Sequence, residues 1–171
     1  MSNETRTYIA LAVLVLLAGF TAWLLRQKLA ALADRMTTPD NKLLWPVPGY
    51  RTVTSNFGMR VHPVTGERKL HNGIDIGAPT GADVVASIAG TVALTSSDAG
   101  GLQIIINGDN PSPVKVGYAH LSARSVTNGQ RVKRGDIIGK VGATGQVTGP
   151  HLHFTVTDPF GEKLDPKPLL A

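Results

Sequence analysis

From Trp45 onward, short apolar stretches of strand length alternate with clusters of turn-forming residues. Five stretches have the length and the β-branched composition of strands, and they cover residues 83–97, 101–107, 114–121, 136–142 and 151–158. The segments between them are rich in Gly, Pro and Asn, which favour turns. No sustained 3.6-residue period follows residue 44. The pattern therefore predicts an all-β domain, an antiparallel sheet folded over on itself in a barrel-sandwich-like arrangement.

The apolar residues of these stretches form the predicted core. It includes Val84, Ile88, Val92, Leu94, Ile104, Ile106, Ile137 and Ile138.

The start of the chain has a different pattern. Residues 8–25 carry no charge, and about 20 apolar residues suffice to cross a bilayer as a helix. We predict an N-terminal transmembrane anchor in residues 1–25, with 8–25 in the lipid, a short helical stalk in 26–44 and one soluble domain in 45–171. A cleavable signal peptide is the alternative, but no A-x-A cleavage site follows the apolar run.

The amino-acid composition limits which metal ligands and which binding partners are possible. The 171 residues include no cysteine, which excludes disulfides and thiolate metal sites, so that any metal must be held by histidine and carboxylate. The net charge of +5 favours an anionic partner such as a lipid surface, a cell-wall polymer or nucleic acid. Nucleic acid is disfavoured, because aromatic residues are few and no run of Lys and Arg exceeds two residues.

Histidine and aspartate occur in a pattern that suits a metal site. In "GPHLHF" a single leucine separates His151 from His153, and residues i and i+2 of a strand point to the same face. His71 and Asp75 form an H-x-x-x-D pair, and His120 ends a predicted strand. His71, Asp75 and one histidine of the H-x-H pair would complete a His₂Asp zinc set with an open position for water. The remaining histidines could then handle protons in a hydrolytic reaction.

These motifs resemble those of a known family. The segments "TSNFGMRVHPVTGERKLHNGIDIG", "YAHLS" and "VKRGDIIGKVGATGQVTGPHLHF" are similar to the lysostaphin-like, or LytM-type, zinc metalloendopeptidases, which hydrolyse peptidoglycan. The resemblance covers roughly residues 45–166. It implies one zinc ion held by His71, Asp75 and His153, with His120 and His151 as catalytic residues.

The same resemblance implies the substrate, a peptide bond in the stem peptides or cross-bridges of peptidoglycan. Asn56 and Arg60 fall in a loop that borders the groove in relatives, where a purely structural role is an equal alternative, and His62 lies outside the ligand pattern. The alternative function is a non-catalytic regulator of other wall hydrolases, as in relatives that have lost zinc ligands. A biotinyl-type carrier domain is disfavoured, because no Met-Lys turn is present. The sequence leaves the oligomeric state open.

Together, the anchor and the resemblance predict a single-pass membrane protein whose catalytic domain faces the cell wall or periplasm. Arg26, Lys28 and Arg35 follow the apolar run, so the positive-inside rule instead favours a cytoplasmic domain. A lytic enzyme carried in the membrane of a bacteriophage virion would reconcile this charge bias with cell-wall lysis.

Overall fold

The structure is a computed structural model that describes residues 19–21, 42–61, 66–109 and 114–171. Residues Lys42–Ala171 form one unit, and this unit is dominated by antiparallel strands. Its described residues contain twelve strands: β1 Val53–Ser55, β2 Gly58–Val61, β3 Arg68–His71, β4 Ile74–Gly77, β5 Asp83–Val85, β6 Gly90–Ser97, β7 Gly101–Gly108, β8 Lys115–Arg124, β9 Arg131–Val132, β10 Ile137–Val141, β11 His151–Thr157 and β12 Lys163–Leu164. A single 3₁₀ turn, Lys167–Leu169, follows them among the described residues. The prediction of an all-β, folded antiparallel sheet is confirmed.

Ten of the strands form one sheet, whose main path runs β1-β4-β11-β8-β7-β6-β9. β10 pairs with β8 and β5, and β12 pairs with β11. β2 and β3 form a separate two-stranded sheet. The long strand β8 therefore pairs with three neighbours, β7, β10 and β11.

Alternation places one face of each central strand in the core. In β11, Leu152, Phe154 and Val156 are fully buried, and the residues between them point to the opposite face. In β4, Ile74 and Ile76 are likewise fully buried on either side of Asp75. Each such apolar side chain contributes roughly 1.5–3 kcal/mol by leaving water. This burial fixes the strand register, and thereby which residues face away from the core.

Two features of the predicted core and strands were wrong. Ile137 is 52% exposed while Ile138 is fully buried, because neighbouring residues of a strand face opposite sides. Residues 83–97 also form two strands rather than one. The break occurs at Ser87, whose amide donates to the Tyr118 hydroxyl and whose carbonyl accepts from Leu44, so neither group joins a strand ladder.

The predicted anchor and stalk fall mostly outside the described residues. Residues 19–21 of the anchor are described and are helical. Within the described ranges, no helix has the length and apolarity needed to span a bilayer. The anchor in residues 8–25 therefore stays a prediction.

Strand β8 changes partner at His120. Up to Ala119 it pairs with β11, and from Leu121 it pairs with β10. Against β7, the pairs Leu102–Leu121 and Ile104–Tyr118 leave two residues of β8 opposite one residue of β7, which defines a β-bulge. Because of this extra residue, Tyr118 and Leu121 both face the core, and His120 between them does not have to follow Tyr118 into it.

The buried phenol of Tyr118 makes the free energy of unfolding depend on pH in the alkaline range. Burial raises the pKa of Tyr118 to about 12, although the Ser87 hydrogen bond partly opposes that shift. The unfolded chain loses this proton near pH 10, so the contribution of Tyr118 is complete below about pH 10 and is lost as the pH rises through about 12.

We expect the free energy of unfolding, measured by urea denaturation, to fall over this pH range. Tyr118→Phe should remove that part of the fall. At neutral pH the variant should be about 1–3 kcal/mol less stable, because the Ser87 amide loses its acceptor. If the free energy of unfolding falls equally with pH in the variant and in the wild type, this account is wrong.

Candidate metal centre and active-site groove

The face of β11 opposite the core carries both histidines of the H-x-H pair. His153 lies directly across from Asp75 of β4, and His151 lies across from Gly77. Asp75 is 7% exposed and occupies the same face, since its neighbours point into the core. The sheet register alone thus brings Asp75 beside His153.

His71 reaches the same point from the end of β3. A turn at Asn72 and Gly73 leads from β3 into β4, and it packs tightly against β11. A Cβ atom on Gly73 would lie 2.3 Å from the Phe154 carbonyl oxygen, so only glycine permits this approach. The tight turn holds the His71 ring against Asp75.

Three ligand atoms converge at this point: His71 Nε2, Asp75 Oδ1 and His153 Nδ1. The His71 and His153 nitrogens are 3.0 Å apart. The Asp75 oxygen lies 3.1 Å from the His71 nitrogen and 2.8 Å from the His153 nitrogen. These are the three residues that the family resemblance implied as zinc ligands, and they form the one such cluster among the described residues.

Hydrogen bonds on the far side of each ring decide which atoms carry lone pairs. His71 Nδ1 donates to the Asn56 carbonyl oxygen at 2.8 Å, and His153 Nε2 donates to Asn72 Oδ1 at 3.1 Å. In the neutral rings, the converging nitrogens are therefore unprotonated. Two lone pairs and a carboxylate oxygen within about 3 Å repel one another unless a cation lies between them. His₂Asp is also a donor set that zinc accepts, so the residues fit the metal.

The carboxyl group of Asp75 is in the charge state that binds a cation. Burial by itself would raise the pKa of this carboxyl. When the facing nitrogens of His153 and His71 carry protons in place of a metal, their hydrogen bonds and charge outweigh burial and hold the pKa well below its usual range. A metal ion at the same point would take the place of those protons. Arg60 Nη2 lies 3.3 Å from Asp75 Oδ2, on the oxygen that does not face the histidines. Asp75 is thus ionised at neutral pH, with Oδ1 left for a metal.

His120 and His151 lie beside this cluster. Their ring centroids are 4.8 Å apart, and His151 Nε2 is 3.6 Å from Asp75 Oδ1. His120 Nδ1 donates to the Thr144 carbonyl oxygen and His151 Nδ1 donates to that of Gly149, both at 2.9 Å. In each neutral ring the lone pair is therefore on Nε2, the atom suited to accept a proton from a substrate or water.

His120 is held in an unusual state. It is the one non-glycine residue of the described chain with positive φ, at 63°, a conformation that costs about 1–3 kcal/mol and is concentrated at functional sites. Burial lowers the pKa of His120 to about 4, against a smaller opposing effect of the Thr144 bond. An ordinary imidazole would protonate below about pH 6, whereas a pKa of about 4 keeps the His120 ring neutral at that pH.

These residues line one groove of about 550 Å³, a volume typical of ligand sites. The five predicted site residues all border it. The groove lining also includes three cationic residues, Arg60, Lys69 and Lys163, and its one acidic residue is the site residue Asp75. The groove therefore has a positive lining beside the metal ligands.

Sequence reasoning missed most of the groups that orient the rings. Asn72 and Thr144 were not singled out, because nothing in their spacing marks a hydrogen-bond acceptor. Asn56 was named only as a groove residue, but its carbonyl oxygen orients His71. Arg60 borders the groove as the resemblance implied. His62 lies outside the described residues.

Comparisons with known proteins agree with this geometry. The family model described as Peptidase family M23 matches residues 69–166. A peptidoglycan DD-endopeptidase of Vibrio cholerae, ShyC, is 45% identical over 107 residues, which are 61% of this chain and 24% of the relative. The chain thus spans about a quarter of the length of this curated relative.

Solved structures share the fold. A zinc-containing peptidase from Vibrio cholerae superposes with a TM-score of 0.66 at 40% identity, over 73% of this chain and 39% of that one. The catalytic domain of the antimicrobial peptidase lysostaphin from Staphylococcus simulans gives 0.62 at 32% identity, over 70% of this chain and 90% of that domain.

The ligand assignment predicts which substitutions abolish zinc binding. His71→Ala, Asp75→Ala and His153→Ala should each weaken zinc binding by more than about 100-fold, the upper range for losing an outer hydrogen-bond partner of a ligand. His120→Ala and His151→Ala should keep one zinc per chain. Metal content after dialysis, measured by mass spectrometry, gives the result.

Circular dichroism of each variant controls for loss of fold. His151→Ala is the matched control for His153→Ala, because both lie on the same face of one strand. If His151→Ala loses zinc and His153→Ala keeps it, the assignment within the pair is reversed.

Proposed function

Because the chain belongs to peptidase family M23, we propose that it is a zinc-dependent endopeptidase that hydrolyses a peptide bond of peptidoglycan. The family match covers more than half of the 171 residues, and it confirms the resemblance found in the sequence. The observation that carries the proposal is the meeting of three unprotonated ligand atoms with two further imidazoles in one open groove.

A bound zinc ion supplies Lewis acidity, which polarises a carbonyl group and lowers the pKa of a water molecule. The protein's own groups do the rest. Water that adds to the scissile carbonyl carbon must lose a proton, and Nε2 of His120 or His151 is free to accept it. The protonated ring can then donate that proton to the nitrogen of the leaving amine as the C–N bond breaks. The geometry supports both histidines in these roles.

The scissile bond we favour is the direct cross-link between stem peptides. The name of the 45% identical relative, peptidoglycan DD-endopeptidase, supports this choice over a glycine cross-bridge. Stem peptides also carry free carboxylates, and the cationic lining of Arg60, Lys69 and Lys163 suits such a substrate.

A non-catalytic regulator of other wall hydrolases is the second candidate. Such a protein has no need of the metal-ligand cluster or of the two neutral imidazoles beside it. That all five positions are filled and brought together favours the enzyme.

For the setting, we propose attachment to a membrane through residues 8–25, with the domain facing the cell wall or periplasm, or carriage in a virion membrane. The uncharged apolar run supports the anchor. Protease accessibility of the domain in intact spheroplasts tests its orientation, since cleavage by added protease requires the domain to lie outside.

The proposed activity predicts a defined digest. Purified zinc-loaded protein should cut the cross-links of directly cross-linked peptidoglycan and so release soluble glycan fragments with their stem peptides attached, each cut adding one water to the combined mass of the products. His151→Ala should lower turnover by about 10²–10⁴-fold, the usual range for a general acid–base group, while keeping its zinc. Mass spectrometry of the soluble fragments measures both the bond and the rate.

Glycine-bridged peptidoglycan is the matched substrate control. Faster release from it than from direct cross-links would reverse the choice of bond. A zinc-loaded protein that binds the polymer and releases nothing from either substrate would favour the regulator instead.

The groove charge predicts a role for Lys163. Its ammonium donates to Thr157 Oγ1 at 2.8 Å, and Thr157 lies four residues beyond His153 on the same face of β11, about 13 Å along the strand. A substrate peptide extended along β11 would bring a carboxylate near it. Lys163→Gln should raise KM by about 2- to 5-fold with little change in kcat, as expected for one exposed ion pair.

The control is Lys133→Gln, which removes the same charge from an exposed position outside the groove. Amidated substrate peptides should abolish the difference between Lys163→Gln and wild type. Equal KM for all three proteins on the carboxylate substrate would contradict the role of Lys163.

A further inference from the structure

The β-bulge at His120 must be held in place by the groups around it. At this point β8 leaves β11 for β10, and the residue at the change has a left-handed backbone. Such a conformation persists only where the surroundings over-determine it. The backbone amide of His120 donates a hydrogen bond to the Gly100 carbonyl oxygen at 2.9 Å. This bond holds the backbone of the bulge but not the His120 ring.

Thr144, in the loop after β10, makes three hydrogen bonds around the bulge. Its carbonyl oxygen accepts from His120 Nδ1 at 2.9 Å. Its hydroxyl donates to the Leu121 carbonyl oxygen at 2.8 Å and accepts from the Leu102 amide at 3.0 Å. Leu102 and Leu121 are the pair that closes the bulge on one side. One residue therefore fixes the His120 ring and both strands beside it.

We propose that Thr144 is a positioning residue for catalysis: its hydroxyl clamps the β7–β8 bulge so that its carbonyl holds His120 with Nε2 directed into the groove. This inference rests on the proposed hydrolytic function, and it adds a residue that touches neither the metal ligands nor the substrate in the account above.

Glycines on both sides make the clamp possible. A Cβ on Gly101 would lie 2.1 Å from Thr144 Oγ1, and a Cβ on Gly145 would lie 2.4 Å from the Ala99 carbonyl oxygen. Both glycines also have positive φ. Only glycine at these two positions lets the loop approach the start of β7 closely enough for the hydroxyl to reach both strands.

The test is a double-mutant cycle with His120. Thr144→Val keeps the shape of the side chain but removes both hydroxyl hydrogen bonds, and Thr144→Ala leaves room for water between the freed groups. Each should lower kcat by about 10- to 100-fold, part of the range for a general acid–base group, with KM within about 2-fold and zinc content unchanged. Thr144→Ser, which retains the hydroxyl, should restore kcat to within about 3-fold of wild type.

In the His120→Ala background, the same Thr144 substitutions should lower the residual kcat by less than about 2-fold, because their effect passes through His120. Thr91→Val is the control for the substitution itself, since Thr91 lies on β6, away from the residues that line the groove. It should leave kcat unchanged.

Two outcomes overturn the proposal: folded Thr144 variants with wild-type kcat, or an equal loss of kcat in the wild-type and His120→Ala backgrounds. An inactive wild-type protein would instead refute the proposed function. In that case a crystal structure of Thr144→Ala decides the positioning role, which requires that His120 lose its left-handed backbone or its bond to residue 144. An unmoved His120 would refute it.

Discussion

The structure depends on one electrostatic constraint, the approach of three electron-pair donors to within about 3 Å of one another. His71 Nε2, Asp75 Oδ1 and His153 Nδ1 cannot share this space as neutral rings and a carboxylate without a cation. The fold nevertheless holds them there, through the pairing of β4 with β11 and through the tight turn at Gly73. The burial that fixes the register of these strands thereby also prepares a metal site, and protons compete with the metal for it as the pH falls.

The ring N–H groups that point away from the cluster are bound by four oxygen acceptors, which come from three segments: the β1–β2 connection, the β3–β4 turn and the β10–β11 loop. Carbonyl oxygens of residues 56, 144 and 149 and the side-chain oxygen of Asn72 each accept one ring N–H. His153 differs from the other three histidines of the site, because its acceptor takes the N–H of Nε2 and leaves Nδ1 for a metal. Two histidines one residue apart on one strand can therefore take different roles: His153 faces Asp75, and His151 presents Nε2 beside it.

Much of this arrangement could be predicted from the sequence. Strand alternation places His151 and His153 on one face, as the structure shows. The spacing of His71 and Asp75 alone was a weak signal, and it was the family resemblance that implied them as ligands together with His153. The bulge at His120 could not be predicted, because simple alternation would send His120 to the face of Tyr118. The extra residue that prevents this is visible only in the pairing of β8 with β7 and β10. Ile137 was misplaced for a related reason: two adjacent isoleucines cannot both enter the core from one strand.

The most direct test of this account is the protonation pattern of the four histidine rings of the site, those of His71, His120, His151 and His153. In zinc-loaded protein labelled with ¹⁵N, long-range proton–nitrogen correlation spectra distinguish protonated, lone-pair and metal-bound ring nitrogens. The account predicts N–H at Nδ1 of His71, His120 and His151, N–H at Nε2 of His153, and metal at Nε2 of His71 and Nδ1 of His153. Metal at Nε2 of His153, or at either nitrogen of His151, would contradict it.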